Sequence, residues 1–545
     1  MGRSVFVPWL VIAFVCFTLS SVDGQQVGTE CTELRIRKSW DMYNTSEKAL
    51  YMDAVGLAMD KGYHLKFIQI HTDALSGNEA HQNCMFVYWH RMLLLGYENM
   101  LRSLGAKYQC VTIPYWDHLS ATARRAAGTC TGLQSCTPYL VESGGTTTGV
   151  SKSLNIDGTS IATSTTTLCI NQSPLSHFCA NNTACAQCVI RKRSSYMSST
   201  AYPAEASSAQ VYGQVFSYNV SSSFTNAVER GVHNTIHNAL GGVMAYFQAP
   251  ADPIFYSHHG LVDLLQTIYL KCQVGAGNVF LSASDKRSDP RWYSICNRKN
   301  NGALYTADDN ITMRATGYSG SPVNVWQDPK NILYPFFKDL PYKYVDYIDA
   351  KDLGNYSYTY QISGGLANMY QNCWTSNSIT SAANTTTTST ALLSEESAHG
   401  RTADAHLEPI IKPGTTSDEK MKRWNIALYE AARIIGYEER GAREQMEMVM
   451  CQYQEDCLGG VTDFTELYKA NFGIEGHTRC YTVMQSLKAG DLVIGIPQWK
   501  DITNRFLPCS AYKKKTQTSV SDFAKAVVGL KTALDTSEKS YATSS

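Results

Sequence analysis

Beyond Leu19 the sequence has no long apolar run; no later stretch approaches the roughly 18 to 20 apolar residues that a membrane-spanning helix needs. It has no excess of charge of either sign, with 47 Lys+Arg against 47 Asp+Glu. Nothing in that balance argues for nucleic acid or an anionic membrane surface as a partner, and neither is expected. There is no internal repeat. Histidine is scarce as well, at 13 in 545 residues. Eight of those histidines nevertheless fall in two short blocks: His64, His71, His81 and His90, then His233, His237, His258 and His259. Imidazoles clustered in this way point to a transition metal.

The first residues read as a signal peptide over 1–24. Arg3 gives a basic start and Val5 to Leu19 is almost wholly apolar but interrupted by Pro8. Small residues then lead through Ser20, Ser21 and Gly24 to a cleavage point before Gln25. A secreted chain without a transmembrane anchor is expected. Of 17 Cys, removal of Cys16 leaves an even 16, expected mostly to pair in an oxidising compartment. Cys185-Ala-Gln-Cys188 is read the same way, as disulfide cysteines rather than a zinc or redox motif. Seven Asn-x-Ser/Thr sequons, at Asn44, Asn171, Asn181, Asn219, Asn310, Asn355 and Asn384, suit a glycosylated surface.

Apolar spacing predicts helices over 47–69, 90–104, 226–240 (ended by Gly241-Gly242) and from Asp252-Pro253 to about Leu270. Residues 25–375 form one unit. It carries a Cys-rich insertion at about 120–210 that holds Cys130, Cys136, Cys169, Cys179, Cys185 and Cys188, and within it 142–168 reads as a surface loop. A Ser/Thr-rich linker follows at 376–399, then a C-terminal helical region at 400–515 and a loosely ordered tail at 516–545. Residues 417–458, with Met421, Trp424, Leu428, Ala432, Ile435, Met446 and Met450, read as an amphipathic helix pair packing on its own core.

In His233-Asn-Thr-Ile-His237 the two imidazoles lie one helical turn apart and can converge on one ion. A zinc metalloprotease would carry Glu after the first of them; Asn234 stands there instead. A third ligand must come from elsewhere. His258 and His259 diverge by about 100° on a helix, so only one of them readily faces that ion.

Ile70-His71, Ala80-His81 and Phe86-Val-Tyr-Trp-His90-Arg91 resemble the first copper motif of the tyrosinase family, and Pro114-Tyr-Trp-Asp117 follows where that family has the same tetrapeptide. His233-Asn-x-x-His237-x-x-x-Gly241-Gly242 and Asp252-Pro-Ile-Phe-Tyr-Ser-His258-His259-x-x-x-Asp263 resemble the second. The resemblance spans roughly residues 31–275. It implies a mainly α fold: a central antiparallel helical bundle around a binuclear copper site, with disulfide-stapled loop insertions and a C-terminal helical region. It implies one copper on His71, His81 and His90 and the other on His233, His237 and His259, with His258 beside the metal and His64 outside the ligand set. It also implies O2 as co-substrate and small phenols (tyrosine, catechols) or tyrosine side chains as substrates.

The family relation further implies that Asn234, with Glu229 as its partner one turn before His233, holds a basic water that deprotonates a monophenol. Those roles favour a tyrosinase over a catechol oxidase, and the one pair of motifs in this chain disfavours a haemocyanin-like oxygen carrier, since such proteins typically chain several units. Asp117, Asp252 and Asp263 are candidates to support the metal helices, Arg91 to pair with Asp263, and Phe86, Trp89, Phe255 and Tyr256 to wall the site. Some relatives link a Cys two residues before the second ligand to that histidine; Glu79 stands there in this chain, so the link is absent or differently made. C-terminal extensions of some relatives cover the copper site until proteolysis, and the C-terminal region is a candidate for such a lid. Pigment formation, cross-linking and defence are all compatible roles.

Overall fold

A computed structural model describes residues 31–180, 185–275, 281–373 and 407–512. The expected signal peptide, linker and tail, and the sequons Asn181 and Asn384, lie outside the described residues. Of the other sequons, Asn44, Asn219, Asn310 and Asn355 are exposed and Asn171 is half-buried.

The fold is mainly α. The single helix expected over 47–69 is two, Thr45–Asp60 and Tyr63–Thr72, because Gly62 between them takes φ +73, a conformation glycine reaches without a steric penalty. The first begins with a capping box in which Asn44 and Glu47 satisfy each other's backbone N–H. A short helix Ala74–Ala80 leads to Phe86–Arg102, buried on nearly every face, as a helix at the centre of a bundle must be.

Side-chain pairs show that the central helices run antiparallel. Between Tyr63–Thr72 and Phe86–Arg102, Phe67 meets Tyr97 at 5.0 Å and His71 meets His90 at 5.9 Å. Between Phe86–Arg102 and Ile254–Val274, Arg91 bonds Asp263 while Tyr97 stacks on Tyr256 at 3.5 Å. The expected Arg91–Asp263 pair is thus present, at 2.5 Å and fully buried. Asp263 also accepts from Arg37 and from the hydroxyls of Tyr358 and Tyr360. Burial alone would raise this carboxyl, but Arg91 and Arg37 outweigh it and hold it below the usual range.

Two expected segments differ. The helix placed over 226–240 is Ser221–Val228, a π-helical turn Glu229–His233 and then Asn234–Leu240. The loop expected at 142–168 contains four short strands, Gly149–Val150, Ser153–Ile156, Thr159–Ala162 and Thr167–Ile170. Ser153–Ile156 and Thr159–Ala162 form a hairpin whose Leu154, Ile156 and Ile161 point inward. Asp157-Gly158 makes its turn with both φ values positive, the geometry that matches strand twist. All sixteen described cysteines pair, and those of the insertion join Cys130 to Cys136, Cys169 to Cys188 and Cys179 to Cys185.

The C-terminal region does not fold on a separate core. Its helices Thr416–Ile434 and Glu439–Cys457 bury Met421, Trp424, Leu428, Ala432, Met446 and Met450 in the core shared with the bundle, whereas Ile435 is exposed. Asn425 donates to Ser208 and the backbone N–H of Cys480 donates to Glu205. Strand Ile410–Ile411 extends a parallel sheet with Tyr358–Ile362 and Arg35–Lys38. The region's two disulfides, Cys451–Cys480 and Cys457–Cys509, are internal to it. Among the described residues, no helix is long and apolar enough to cross a membrane.

Candidate metal centre

Helix ends and one extended residue bring the first histidines together: His71 in the last turn of Tyr63–Thr72, His81 just past Ala74–Ala80, and His90 in the second turn of Phe86–Arg102. One ring nitrogen from each lies within 4.8 Å of the others. His233 ends the π-helical turn and His237 follows on Asn234–Leu240. The chain kinks inside this turn at Gly231 (φ −84, ψ −114), and the Gln214 amide occupies the space a Cβ there would take, its oxygen accepting from Val232 N–H at 3.0 Å. The two groups face each other, with His81 and His90 each 6.3 Å from His233 between ring centres.

At the second site His259, expected as the third ligand, lies 4.9 Å from His233 between ring centres, and His258 lies close as well, at 5.4 Å. By distance, His258 rather than His259 joins His233 and His237 within 4.8 Å. Consecutive helical residues diverge, and here His258 is turned to His118, its Nδ1 2.9 Å from the His118 Nε2. His259 is turned the other way and stacks on His90 at 4.1 Å, with neither of its ring nitrogens hydrogen-bonded. His64 is a core residue, its Nδ1 at Tyr97 and its Nε2 at the Ala251 carbonyl, so both nitrogens are used.

Carbonyl oxygens only accept, so the partners of the rings fix their tautomers. Nδ1 of His71 donates to Phe247 O (2.6 Å), that of His90 to Phe86 O (2.8 Å) and that of His237 to Met244 O (2.8 Å). His81 Nδ1 faces Gly77 O at 3.4 Å, and His233 Nδ1 donates to the Asn234 side-chain oxygen at 2.8 Å. The Nε2 atoms of His71, His90, His233, His237 and His258 are buried without any partner. Burial keeps these rings neutral: it depresses His71 to about 3 and His237 to about 4, and neighbouring imidazoles add to the effect at His81, His90, His233 and His258. Neutral imidazoles with a free lone pair directed at a shared point are a donor set that suits copper. Cys31, Glu33 and Cys110 also lie close together, but Cys31 and Cys110 are a disulfide.

The expected carboxylate supports brace the scaffold, while backbone carbonyls and Asn234 hold the rings. Asp117 caps the helix His118–Ala126 through Ser120, and Asp252 takes a two-pronged bond from Arg191. Glu79 accepts from Thr312, Tyr344 and Arg298, tying the helix before His81 to the distant segment 298–344. Phe86 and Phe255 press on the imidazoles (4.8 Å from His233, 4.1 Å from His259) and Trp89 on His90, whereas Tyr256 faces Tyr97.

Glu229 is buried at the rim of this cluster, its two oxygens accepting from the backbone N–H of Gln82, next to His81. Burial pushes its carboxyl up to about 7 against the lowering effect of that N–H, Lys299 and Arg230. Asn234 turns its oxygen to His233 and leaves its amide nitrogen buried and unpartnered. No direct bond joins Glu229 to Asn234.

A C-terminal segment lies across the centre. Phe472, at the end of helix Glu466–Phe472, sits 5.9 Å from His81, 6.3 Å from His237 and 4.7 Å from Phe247. Tyr468 donates to the same Asn234 oxygen that His233 uses, at 2.9 Å. Asn238 accepts from Thr465 and donates to the Asp463 carbonyl, and Gln82 donates to Phe472 O. Within the C-terminal region expected as a candidate lid, the residues that touch the centre come from 463–473. No local pattern marks Phe472, Tyr468 or Gln82, whose roles come from contacts over hundreds of residues. His118 could have been noticed, directly after the Pro-Tyr-Trp-Asp tetrapeptide.

The model of the common central domain of tyrosinase matches residues 61–271. The tyrosinase of Streptomyces glaucescens is 26% identical over 263 residues, 45% of this chain and 85% of that protein. The tyrosinase of Streptomyces antibioticus is 25% identical over 242 residues, 43% of this chain and 81% of that one. Among solved structures, a polyphenol oxidase from Thermothelomyces thermophila aligns over 60% of this chain and 89% of that chain, at 16% identity and a TM-score of 0.39. The segment 61–271, which carries both histidine groups, is thus a domain of the tyrosinase family of type 3 copper proteins.

Proposed function

We propose that this chain is a secreted tyrosinase that uses two copper ions and O2 to o-hydroxylate monophenols and to oxidise o-diphenols to o-quinones. The observation that carries the copper reading is the pair of facing, buried histidine groups whose Nδ1 atoms are anchored and whose Nε2 atoms have no partner. His71, His81 and His90 would hold one ion and His233 and His237 the other, completed from the His258-His259 pair. The ions supply the two-electron reduction of oxygen that no side chain can perform.

The chain's own residues do the rest. Carbonyl anchors hold the rings in one tautomer, and Phe86, Phe255 and Phe247 keep water out. Glu229, with a carboxyl poised near neutral pH, is suited to accept the phenol proton through a water. The free amide nitrogen of Asn234 is suited to donate to that water or to the phenolate oxygen. This pair favours monophenol activity over catechol oxidation alone. The segment 463–473 acts as an intramolecular lid: Phe472 occupies the approach to His81 and His237, and Tyr468 engages Asn234. None of the eight disulfides would keep a chain cut within 374–406 from releasing that region. The disulfides suit export to an oxidising compartment.

Copper-loaded protein assayed with tyrosine and with a catechol, before and after limited proteolysis, tests this. Quinone from both substrates, increased by cleavage, is expected. Two copper ions per chain with no oxidation even after cleavage would leave a haemocyanin-like oxygen carrier.

A further inference from the structure

Five rings of this centre set their Nδ1 against an oxygen, and four of them find it nearby in the chain. His81, His90, His233 and His237 use Gly77, Phe86, Asn234 and Met244, each within seven residues. His71 does not: its acceptor, the Phe247 carbonyl, stands 176 residues away. A local anchor is fixed by the geometry of its own helix or turn, whereas a distant one must be held in place by something else. Phe247 also packs on His81 at 5.3 Å, so the same loop carries the anchor of one candidate ligand and a wall beside another.

The tip of the hairpin 153–162 holds both sides of the His71–Phe247 bond. On the acceptor side, the buried Gln248 side chain, next to Phe247, donates to the Thr159 hydroxyl at 2.8 Å. On the donor side, the Thr72 hydroxyl, next to His71, donates to the Asp157 carboxylate. The hairpin is a stiff support: Leu154, Ile156 and Ile161 are buried in the main core, and Asn155 accepts from Gly158 N–H across the turn at 3.1 Å. We propose, on the copper reading above, that this hairpin is a strut for the first metal site. Thr159, acting through Gln248, is a positioning residue for His71, and Asp157 steadies the same bond from the other side. With the Phe247 carbonyl in place, His71 keeps its proton on Nδ1, and its Nε2, which has no partner, carries the lone pair. Without the Thr159 hydroxyl, Gln248 becomes a buried donor with no acceptor, and the loop must move to satisfy it. The Phe247 carbonyl moves with the loop, and the His71 ring loses the partner that fixes its tautomer and direction.

Thr159→Val keeps the shape but removes the acceptor; Thr159→Ser restores it; Gln248→Ala removes the donor; Asp157→Ala, at an exposed position, removes the second contact. The readout is copper per chain by metal analysis of the full-length protein after competition with a graded chelator, with the melting temperature of each copper-free form measured alongside. Losing the partner of a metal-bound histidine weakens metal affinity by about ten- to a hundredfold, and a residue one step further out belongs at the lower end. T159V and Q248A are therefore expected to lose one ion of two at a chelator concentration about tenfold below the level that strips the parent. T159S should keep both ions, and D157A should add to the loss when combined with T159V. Should T159V fail to fold, Q248A decides by the same readout. Parent-like retention of both ions in folded T159V and Q248A would overturn the proposal, as would loss in T159S equal to that in T159V. Loss of both ions together with a lowered copper-free melting temperature, or failure of both variants to fold, would mark a merely structural contact and overturn it as well. A parent that binds no copper would sink the copper reading and the proposal with it, whereas a parent with two ions and no oxidase activity would sink only the enzyme.

Discussion

Replacing Phe472 by Ala separates a lid from a merely structural cover. Phe472 belongs to a small apolar cluster with Ala245, Phe464 and Tyr468, distinct from the main core, and packs on Phe247 beside His81 and His237. Truncating a buried Phe costs about 3–5 kcal/mol in a large core. In so small a cluster the lower end applies, and about 3 kcal/mol corresponds to a shift of roughly a hundredfold in the ratio of uncovered to covered forms. The Tyr468–Asn234 and Asn238–Thr465 bonds still favour the covered state, so the gain in active protein is capped by how rarely the parent opens. Catechol oxidation by uncut, copper-loaded F472A is therefore expected to exceed that of the parent by one to two orders of magnitude, about ten- to a hundredfold on the same scale. After removal of the C-terminal region the two should converge. If F472A holds two copper ions, melts with the parent and oxidises catechol no faster, the lid assignment is wrong.

Glu229→Gln should abolish most tyrosine hydroxylation while sparing catechol oxidation, and equal loss of both would remove Glu229 from the proton-transfer role. Monophenol activity of the uncovered parent should rise with pH through about 7, as the Glu229 carboxyl ionises. Its raised carboxyl carries a stability signature as well. Between the unfolded value near 4.5 and the folded value near 7 the unfolded chain binds fewer protons, so stability falls as pH rises through that window. Copper-free E229Q should accordingly outlast the parent above pH 7 in denaturant melts, by an amount of the order of 3 kcal/mol at most. Asp263→Ala leaves Arg91 and Arg37 buried and unpaired and should cost about 3–5 kcal/mol, read as a lowered melting temperature; a change under about 1 kcal/mol would show that the network is redundant. Chelation of copper should abolish oxidation of both substrates and added copper should restore it, whereas zinc should not.

Much of the site was legible because its information is local. The spacing of His233 and His237 on one helix turn, and the short run from His71 through His81 to His90, place the candidate ligands within elements whose geometry is set by a few neighbouring residues. The Arg91–Asp263 pair and the cysteine-stapled insertion were readable for similar reasons, from charge beside a ligand and from cysteine parity. Local patterning failed where a single residue overrides a period, as at Gly62 and in the π turn at Gly231, and where short alternating stretches lie among Ser and Thr, as in the hairpin at 153–162.

The amino-acid sequence by itself determined the chemistry: two sets of imidazoles, the scaffold charges and the cysteines. The tertiary structure decided direction and access. Adjacent side chains on one helix point about 100° apart, and the directions His258 and His259 take beside His233 are met by His118 and His90, which come from other helices. Phe472 and Tyr468 become part of the site only because a region more than 200 residues away in sequence folds back over Asn234 and His237. Such contacts are selected by shape and burial at the interface between helices, and no periodicity along the chain records them.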